Sequence, residues 1–510
     1  MSICLSYILS KKYVKQCSLF LFILIFLHVV LGAQNPTEPP MRIELESAKD
    51  VHAFDFEEVG EKGIIIFYEG TTIGDTSNWF FLQYDTLLEK KKIFNIHLPI
   101  TTSLSGSCHT ENYFYALFQT KKSKKNIYQN HLLIYDLNDE KYIVKTLKYL
   151  NNNYINYIQA IDNQIVFMSL NDKNDSIFFY DCLQEELYTL GDIFPYKYQF
   201  CEVDTFNQRW LIALTEYRSD IPGEIFIYQY HYNTKKAEIQ SFIHKGETQN
   251  VAYNSARAIV LNADTTLIIG TYNTIKNKTS SGYNTGIYSM LLRHFQLDTA
   301  KFYNFTQLKT KEKDVITNKK PTDHLQLQLI VGKVAHNNQL YTLSSEIYYP
   351  EYRENDYNNA GIGVGFGGIS YSPPTTVFVG YRFIGSYLIT FDRTGNLLFD
   401  NYLNLNNSLY NTLYPHIRMN YIGDDLLAYY PHGNHFTYTL LHGYDIIEKQ
   451  ATMNIETNHP RDIIEYNRAT FIQPWYSNYY ILSGYQYILN RSKSIQKKRY
   501  VFFINKLEYK

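Results

Sequence analysis

Short hydrophobic strands recur along this chain at a nearly constant interval, and this recurrence limits the possible folds more than any other feature. An aromatic residue followed by aspartate ends such a strand at five places, which are Tyr84-Asp85, Tyr135-Asp136, Tyr180-Asp181, Phe391-Asp392 and Tyr444-Asp445. Successive pairs among the first three lie 51 and 45 residues apart, and the last two lie 53 apart. Aspartate suits a turn after a strand because its carboxylate accepts backbone N–H groups a residue or two further on. A repeat of about 50 residues that contains several strands is typical of a β-propeller blade.

The repeat predicts an all-β protein, a propeller of eight blades with four antiparallel strands each. Two degenerate copies of the unit, Glu224–Gln240 and Tyr288–Leu308, fill the interval between the third and fourth aromatic-aspartate pairs. The outer hairpins of the eight units centre near residues 85, 136, 181, 230, 296, 393, 445 and the C-terminus. Seven blades with an irregular sixth unit, and a pair of β-sandwiches, stay open as alternative interpretations.

The last unit lacks a fourth strand, whereas the N-terminal region has a strand to spare. Strands are expected near Asp462–Phe471, Tyr479–Ile488 and Tyr500–Tyr509, and the spare strand is Met41–Leu45. We predict that Met41–Leu45 pairs with Tyr500–Tyr509 and closes the ring, because an open ring leaves two sheet edges exposed. The predicted organisation is therefore a linker and closing strand at 34–50 and a propeller at 51–510.

Residues 1–33 have the pattern of a secretory signal peptide. Lysines between positions 11 and 15 precede an apolar run, Leu19–Leu31, and small residues follow it. The run is shorter than the roughly 20 residues of a spanning helix, and we expect cleavage after Ala33. The sequence thus predicts an exported protein, periplasmic, outer-surface or secreted, with no membrane span after cleavage. The alternative is an uncleaved N-terminal membrane anchor.

Composition excludes several classes of function. The chain has 48 basic and 49 acidic residues. It therefore lacks the excess of positive charge that is typical of nucleic-acid-binding proteins. Aromatic residues make up 16% of the chain, which argues against disorder and suits the broad stacked faces of propeller blades. Beyond the signal peptide lie Cys108, Cys182 and Cys201, which we predict to be unbridged; a disulfide between Cys182 and Cys201 is the alternative. No cysteine spacing typical of a zinc site occurs, and we predict no metal and no cofactor.

The segment from Glu346 to Arg382 interrupts the repeat and is the predicted binding site. We expect a surface loop here, since long loops on a rigid scaffold often carry function. Glycines between positions 361 and 368 would let the loop adapt to a partner. Aromatic residues and arginine concentrate binding energy at interfaces. The predicted binding residues are Glu346, Tyr348, Tyr349, Tyr352 and Arg353 in the segment, together with Trp475 and Tyr476 of the eighth unit.

No catalytic motif is recognisable, and no catalytic residue is assigned. There is no nucleophile elbow, and nothing in the sequence ties Glu57 or Glu58 to a carboxylate of another blade. We therefore predict a binding or scaffolding protein of the cell envelope, with a protein or a glycan as its partner. The alternative is a propeller enzyme that acts on glycans as a hydrolase or lyase. Hydrolysis would require carboxylates from different blades to converge at roughly 5–10 Å in the central channel.

Four segments in the last third of the chain carry a family resemblance, namely Ser345–Arg353, Gly380–Leu403, Trp475–Ile488 and Arg499–Tyr509. These segments of strand and turn residues resemble a family of uncharacterised secreted proteins of the Bacteroidetes. The resemblance implies a propeller-like protein that is secreted or held in the cell envelope. It implies no catalytic residue and no particular activity.

Overall fold

The computed structural model describes residues 41–46, 54–122, 128–150, 153–161, 163–169, 176–190, 198–206, 209–216, 225–231, 236–242, 250–275, 284–309, 328–354, 376–432, 435–459, 461–491 and 498–508. Between residues 198 and 216 the description covers the backbone alone. The predicted signal peptide at 1–33 and the linker up to residue 40 lie outside these ranges. Strands in the described residues form eight separate sheets, and we call these sheets blades one to eight.

Strand β1 (Arg42–Glu46) comes first in the described chain, and four sheets of four consecutive antiparallel strands follow it. Blade one contains β2 (Asp55–Glu58), β3 (Ile64–Ile73), β4 (Thr76–Tyr84) and β5 (Lys90–Pro99). Blade two contains β6 (Thr102–His109), β7 (Tyr113–Lys121), β8 (Tyr128–Asp136) and β9 (Tyr142–Thr146). Blade three contains β10 (Ile155–Ile161), β11 (Gln164–Ser169), β12 (Ser176–Asp181) and β13 (Glu186–Leu190). Blade four contains β14 (Tyr198–Phe206), β15 (Arg209–Glu216), β16 (Ile225–His231) and β17 (Lys236–Phe242).

The other four blades take up the rest of the chain. Blade five contains β18 (Asn250–Tyr253), β19 (Arg257–Asn262), β20 (Thr265–Ile275), β21 (Gly286–Arg293) and β22 (Gln296–Asn304). Blade six contains β23 (Leu329–His336), β24 (Tyr341–Glu354), β25 (Thr376–Phe391) and β26 (Leu397–Tyr410). Blade seven contains β27 (Arg418–Ile422), β28 (Asp425–His432), β29 (His435–His442) and β30 (Asp445–Asn454). Blade eight contains β31 (Asp462–Pro474), β32 (Tyr479–Asn490), β33 (Lys498–Glu508) and the N-terminal β1.

The eight-blade prediction is confirmed, and helix is scarce in the described part of the chain. Short 3-10 helices occur at Gly60–Lys62, Lys148–Leu150 and Phe305–Gln307. None of the described helices has the length and apolarity that a membrane crossing requires. Cys108 and Cys182 are free thiols, so Cys182 forms no disulfide with Cys201, whose side chain lies outside the description.

Blade five departs from the predicted four strands because its first strand is broken into β18 and β19, which both pair with β20. Between these two pieces the carbonyl oxygen of Ser255 passes directly over Gly270. A Cβ atom at Gly270 would lie 2.0 Å from that oxygen, so only glycine fits. The hydroxyl of Tyr288 donates to the same oxygen at 2.7 Å and holds the interruption in place.

The aromatic-aspartate pairs occupy the turns between the third and fourth strands, as predicted, in four of the five places. Asp85 Oδ1 accepts the backbone N–H groups of Leu87 at 3.0 Å and Glu89 at 2.9 Å. The carboxylates of Asp136, Asp181 and Asp392 each accept two backbone N–H groups in the same manner. The fifth place differs because Gly443 and Tyr444 already complete the turn, with Gly443 at a φ of 59°, and Asp445 is the first residue of β30.

The hydrophobic core is divided into layers, each of which lies between two neighbouring blades. Phe67 and Phe81 of blade one, for example, pack against Phe114 of blade two with ring centroids 5.8 and 6.2 Å apart. Such layers lie between blades one and two and between blades two and three. They also lie between each pair of consecutive blades from blade four to blade eight. The side chains of β14 and β15 in blade four lie outside the description.

The predicted pairing of the N-terminal strand with the last strand is present. β1 runs antiparallel to β33, with Arg42 opposite Asn505 and Glu46 opposite Val501. Apolar residues of blade eight, including Ile43, form a common core layer with Ile64 and Ile66 of blade one. Closure of the whole ring stays a prediction, which truncation of β1 can test.

The connections between strands lie on two opposite faces of the propeller. The turns that join first to second strands and third to fourth strands share one face, which we call the lower face. Lys62 in the first turn of blade one, for example, donates to Asn138 in the last turn of blade two at 2.7 Å. The connections from second to third strands emerge on the other side, the upper face, because consecutive strands of a blade are antiparallel.

Candidate binding arm and channel wall

Blade six extends beyond its neighbours on the upper face through a two-stranded projection. β23 pairs with β24 only as far as Ile347, and β26 pairs with β25 only as far as Tyr381. We call Tyr348–Glu354 together with Thr376–Phe383 the arm. The sequence predicted a loop across Glu346–Arg382. That prediction is wrong for the arm, where β24 and β25 continue as paired strands. Residues 355–375, with the glycine-rich stretch, lie outside the description.

Aromatic side chains line one face of the arm. Tyr352 and Phe378 lie opposite each other, with ring centroids 5.7 Å apart, and both are exposed, at 58% and 43%. Phe378 contacts Tyr381 at 5.0 Å, and Tyr381 contacts Tyr348 at 5.8 Å. Cross-strand aromatic pairs of this kind stabilise a two-stranded ribbon, which is otherwise marginal in water. The arm therefore presents the rings of Tyr352 and Phe378 to solvent, supported from beneath by the half-buried Tyr381 and Tyr348.

The opposite face of the arm is polar. Glu351 forms an ion pair with Arg382, and Arg382 Nη1 donates to the carbonyl oxygen of Asn407 at 2.7 Å. The hydrogen bond from Arg382 holds the pKa of Glu351 below its usual value. Tyr349 and Arg353 are exposed on the same face. Four predicted residues, Tyr348, Tyr349, Tyr352 and Arg353, are thus brought together on the arm.

Glu346 does not belong to this surface, although the sequence placed it there. Its side chain is completely buried between blades six and seven. Both carboxylate oxygens accept backbone N–H groups, from His416 at 3.0 Å and from Ile417 at 2.7 Å. Glu346 shares its face of β24 with Tyr348, but at Glu346 the backbone before β27 of blade seven covers that face. A partner at the surface cannot contact this carboxyl group.

Trp475 and Tyr476 lie on the lower face, away from the arm. They form the turn between β31 and β32, and Trp475 Nε1 donates to the carbonyl oxygen of Gly63 at 3.1 Å. Trp475 is 9% exposed and belongs to the core layer between blades eight and one. The expectation that one partner contacts the arm and these two residues together is therefore wrong, because the arm lies on the upper face of the propeller and these two residues lie on the lower face.

A second polar arrangement lies on the wall of the central channel, where the first strands of the blades meet. Glu57 of blade one accepts a hydrogen bond from Ser107 Oγ at 2.6 Å and contacts His109 Nδ1 at 3.1 Å. Burial lowers the pKa of His109, but the hydrogen bond and the charge of Glu57 outweigh burial and leave that pKa raised. Glu57 thus orients the imidazole and stabilises its protonated form.

The adjacent residue, Glu58, points to the opposite side of β2, where Gln473 Nε2 of blade eight donates to it at 2.5 Å. Burial, with the negative charge of Glu57, raises the pKa of Glu58. The charge of Lys333 from blade six acts on Glu58 in the opposite direction, and Lys333 itself is exposed. Side chains of blades eight, one and two therefore meet on this part of the channel wall.

The channel wall can donate and accept protons. The contact with Glu57 occupies His109 Nδ1, and the described residues show no hydrogen bond to Nε2. A histidine oriented by a carboxylate is the usual arrangement of a general base. Glu57 and Glu58 both belong to blade one, so they are not the pair from different blades expected for glycan hydrolysis. Within the described residues, no group of three or more His, Cys, Asp or Glu side chains is arranged to hold a metal ion.

The chain matches no protein-family model and no curated protein. Among solved structures it is similar to the β-propeller domain of the Trilobed protease from Pyrococcus furiosus, with 9% identity over 80% of this chain and 95% of that one and a TM-score of 0.38. The Dos1 propeller has 8% identity over 79% and 92% of the two chains and a TM-score of 0.39. The polysaccharide lyase Uly1 has 8% identity over 79% and 89% and a TM-score of 0.41. These values say nothing about an activity or a partner of this chain.

Proposed function

We propose that this protein is an exported β-propeller of the bacterial cell envelope that binds a protein or a glycan through the arm of blade six. The observation that carries the proposal is the exposed aromatic pair of Tyr352 and Phe378, which lies beyond the last pairing of β23 and of β26 and which no third strand of the described residues covers. Export is supported by the signal-peptide pattern at 1–33, and an envelope location by the resemblance to secreted Bacteroidetes proteins.

The arm combines the features of an interface centre. Large aromatic side chains supply contact area with little loss of rotamer freedom, and arginine adds charged hydrogen bonds. Tyr352 and Phe378 are exposed side by side on one face of the arm, and Tyr349 and Val377 are exposed at 42% and 47% on the opposite face. Single exposed apolar residues are ordinary on a protein surface, whereas a contiguous exposed set marks an interaction site. The propeller would hold this set rigidly, and a partner would need to order little of it on binding.

The variant Tyr352→Ser/Phe378→Ser tests the proposed binding surface. We expect it to capture its partner at least ~10-fold less strongly than the parent in pull-downs from envelope extract. Truncation of a residue at the centre of an interface usually costs about 1 kcal/mol or more of binding free energy. Ile446→Ser/Ile447→Ser is a matched control, because these residues are exposed at 51% and 58% on the outer strand of blade seven. Equal capture by the arm variant and the parent, on propellers of equal stability, would remove the arm as the binding surface.

A propeller enzyme that acts on glycans is the second candidate. The observation in its favour is the contact between Glu57 and His109 in the channel, with Lys333 exposed on another blade. In such an enzyme His109 would exchange a proton with the substrate through Nε2, and Glu57 would act as the positioning residue.

The pKa of His109 tests this arrangement without a known substrate. Glu57→Gln removes the charge that favours the imidazolium, and we expect the pKa of His109 to fall in an NMR titration. Asp425→Asn is the control, because Asp425 contacts His442 Nδ1 at 2.7 Å and raises the pKa of that residue instead. An unchanged His109 titration in Glu57→Gln would contradict the assigned role of Glu57.

A further inference from the structure

Glu346 joins blade six to blade seven through its carboxylate. The two backbone N–H groups that it binds belong to His416 and Ile417, directly before β27. β27 is the first strand of blade seven and has only five residues. The side chain of Glu346 therefore supplies the acceptors for a stretch of backbone that continues towards β27 without strand pairing. We call residues 411–417 the connector.

No opposite charge is paired with this buried carboxyl group among the described residues. The titratable groups around it are Tyr410 at the end of β26, Tyr414 and His416 in the connector, and Arg418 at the start of β27. Arg418 favours the ionised carboxylate through its charge but forms no ion pair with it. His416 is buried, and burial lowers its pKa to about 3, so it stays neutral and supplies no counter-charge.

The two protonation states of Glu346 hold the connector differently. An ionised carboxylate offers an acceptor oxygen to each of the two N–H groups. Protonation turns one oxygen into a hydroxyl donor and weakens one of the two hydrogen bonds. Burial raises the pKa of Glu346 from 4.5 to about 7, against the opposing effect of the hydrogen bonds from His416 and Ile417. Both states are therefore populated near neutral pH.

The connector is in direct contact with the base of the arm. The ring of His416 stacks on Tyr410 with centroids 3.5 Å apart and meets Phe383 edge-on at 4.6 Å. Phe383 is a buried arm residue whose ring lies 5.9 Å from that of Tyr348. A change in the position of residue 416 would therefore be transmitted to the arm through packed rings.

We propose that Glu346 is a proton-dependent latch between blades six and seven, which holds the connector and the base of the arm by two strong hydrogen bonds when ionised and by one strong and one weakened hydrogen bond when protonated. The latch concerns the junction itself, and it stands whether or not the arm binds a partner. It gives the propeller a built-in response to pH at the junction of blades six and seven.

Two readouts follow from the direction of the pKa difference. The folded protein binds the proton more tightly than the unfolded chain between pH 4.5 and about 7, so stability falls as pH rises through this window. We expect the unfolding equilibrium constant of the parent to rise by up to ~10-fold per pH unit there, relative to Glu346→Gln. The amide signals of His416 and Ile417 should titrate with a midpoint near pH 7 in the parent and stay flat in the variant.

The comparison between parent and Glu346→Gln isolates the latch from the other titrating groups, because both proteins share them. A variant that unfolds with the same pH dependence as the parent would overturn the proposal. If Glu346→Gln does not fold, the amide titration of the parent protein alone tests the proposal. Amide signals of His416 and Ile417 without an inflection between about pH 5.5 and pH 8 would overturn the proposal, since an exposed glutamate titrates near 4.3.

Discussion

Removal of β1 is expected to abolish most of the stability of the propeller. A chain that starts at residue 47 lacks the outer strand of blade eight and leaves the backbone of β33 unpaired along residues 501–505. It also removes Ile43, whose burial in the core layer between blades eight and one contributes about 1.5–3 kcal/mol, and the partly buried Leu45, which contributes less. A domain is usually stable by only about 5–15 kcal/mol, so this truncation should consume most of that margin.

Urea denaturation of two truncated proteins measures the effect. One begins at residue 41 and retains β1, and the other begins at residue 47; both lack the predicted signal peptide. We expect the first to unfold cooperatively and the second to be unfolded or to lose at least ~5 kcal/mol. Equal denaturation midpoints and slopes in the two proteins would show that β1 does not complete the ring.

Arg499→Met should produce the second large loss, because it breaks a buried network of charges inside blade eight. Arg499 contacts Asp462 Oδ1 at 3.0 Å and Glu44 Oε2 at 3.1 Å, and all three side chains are less than 10% exposed. Glu44 also accepts a hydrogen bond from Arg42 Nε at 2.7 Å. The network thus links β31 and β33 to the N-terminal strand. Removal of one partner from a buried ion pair costs about 3–5 kcal/mol, because the remaining charges stay buried.

Chemical denaturation again provides the measurement for Arg499→Met. The matched control is Arg353→Met, which replaces an exposed arginine of the arm and should change the free energy of unfolding by less than ~0.5 kcal/mol. A loss of the same small size in Arg499→Met would contradict the assigned role of the network. Destabilisation confined to Arg499→Met would agree with a propeller that depends on the fixed position of β1.

The blades could be predicted from the sequence because their signals are local. An aspartate such as Asp85 closes a turn with backbone groups two and four residues further on, and that geometry needs no tertiary context. The missing strand of the last unit was also visible, since a regular repeat makes a gap conspicuous. The broken first strand of blade five was not predicted, because it depends on the contact of Ser255 with Gly270.

The candidate sites depend on contacts across the fold, and the sequence predicted them less well. Tyr348 and Tyr352 of the arm were among the predicted residues because they cluster in sequence, whereas Phe378 was missed because it meets Tyr352 only across the pairing of β24 with β25. The burial of Glu346 and the position of Trp475 on the lower face were missed, since composition does not indicate which way a strand residue points. Glu57 and His109 lie 52 positions apart and meet only because the first strands of blades one and two are neighbours. The spacing of nearly one full repeat was the available signal.

Photo-crosslinking from single positions in intact cells tests the proposed binding surface most directly. A photoreactive amino acid would replace Tyr352 or Phe378 on the arm, and Ile447 on the outer strand of blade seven would serve as the control position. We expect discrete crosslinked products, protein or glycan, from both arm positions and none from position 447. Products of equal yield from all three positions, or none from the arm in cells that export the protein, would contradict the proposal.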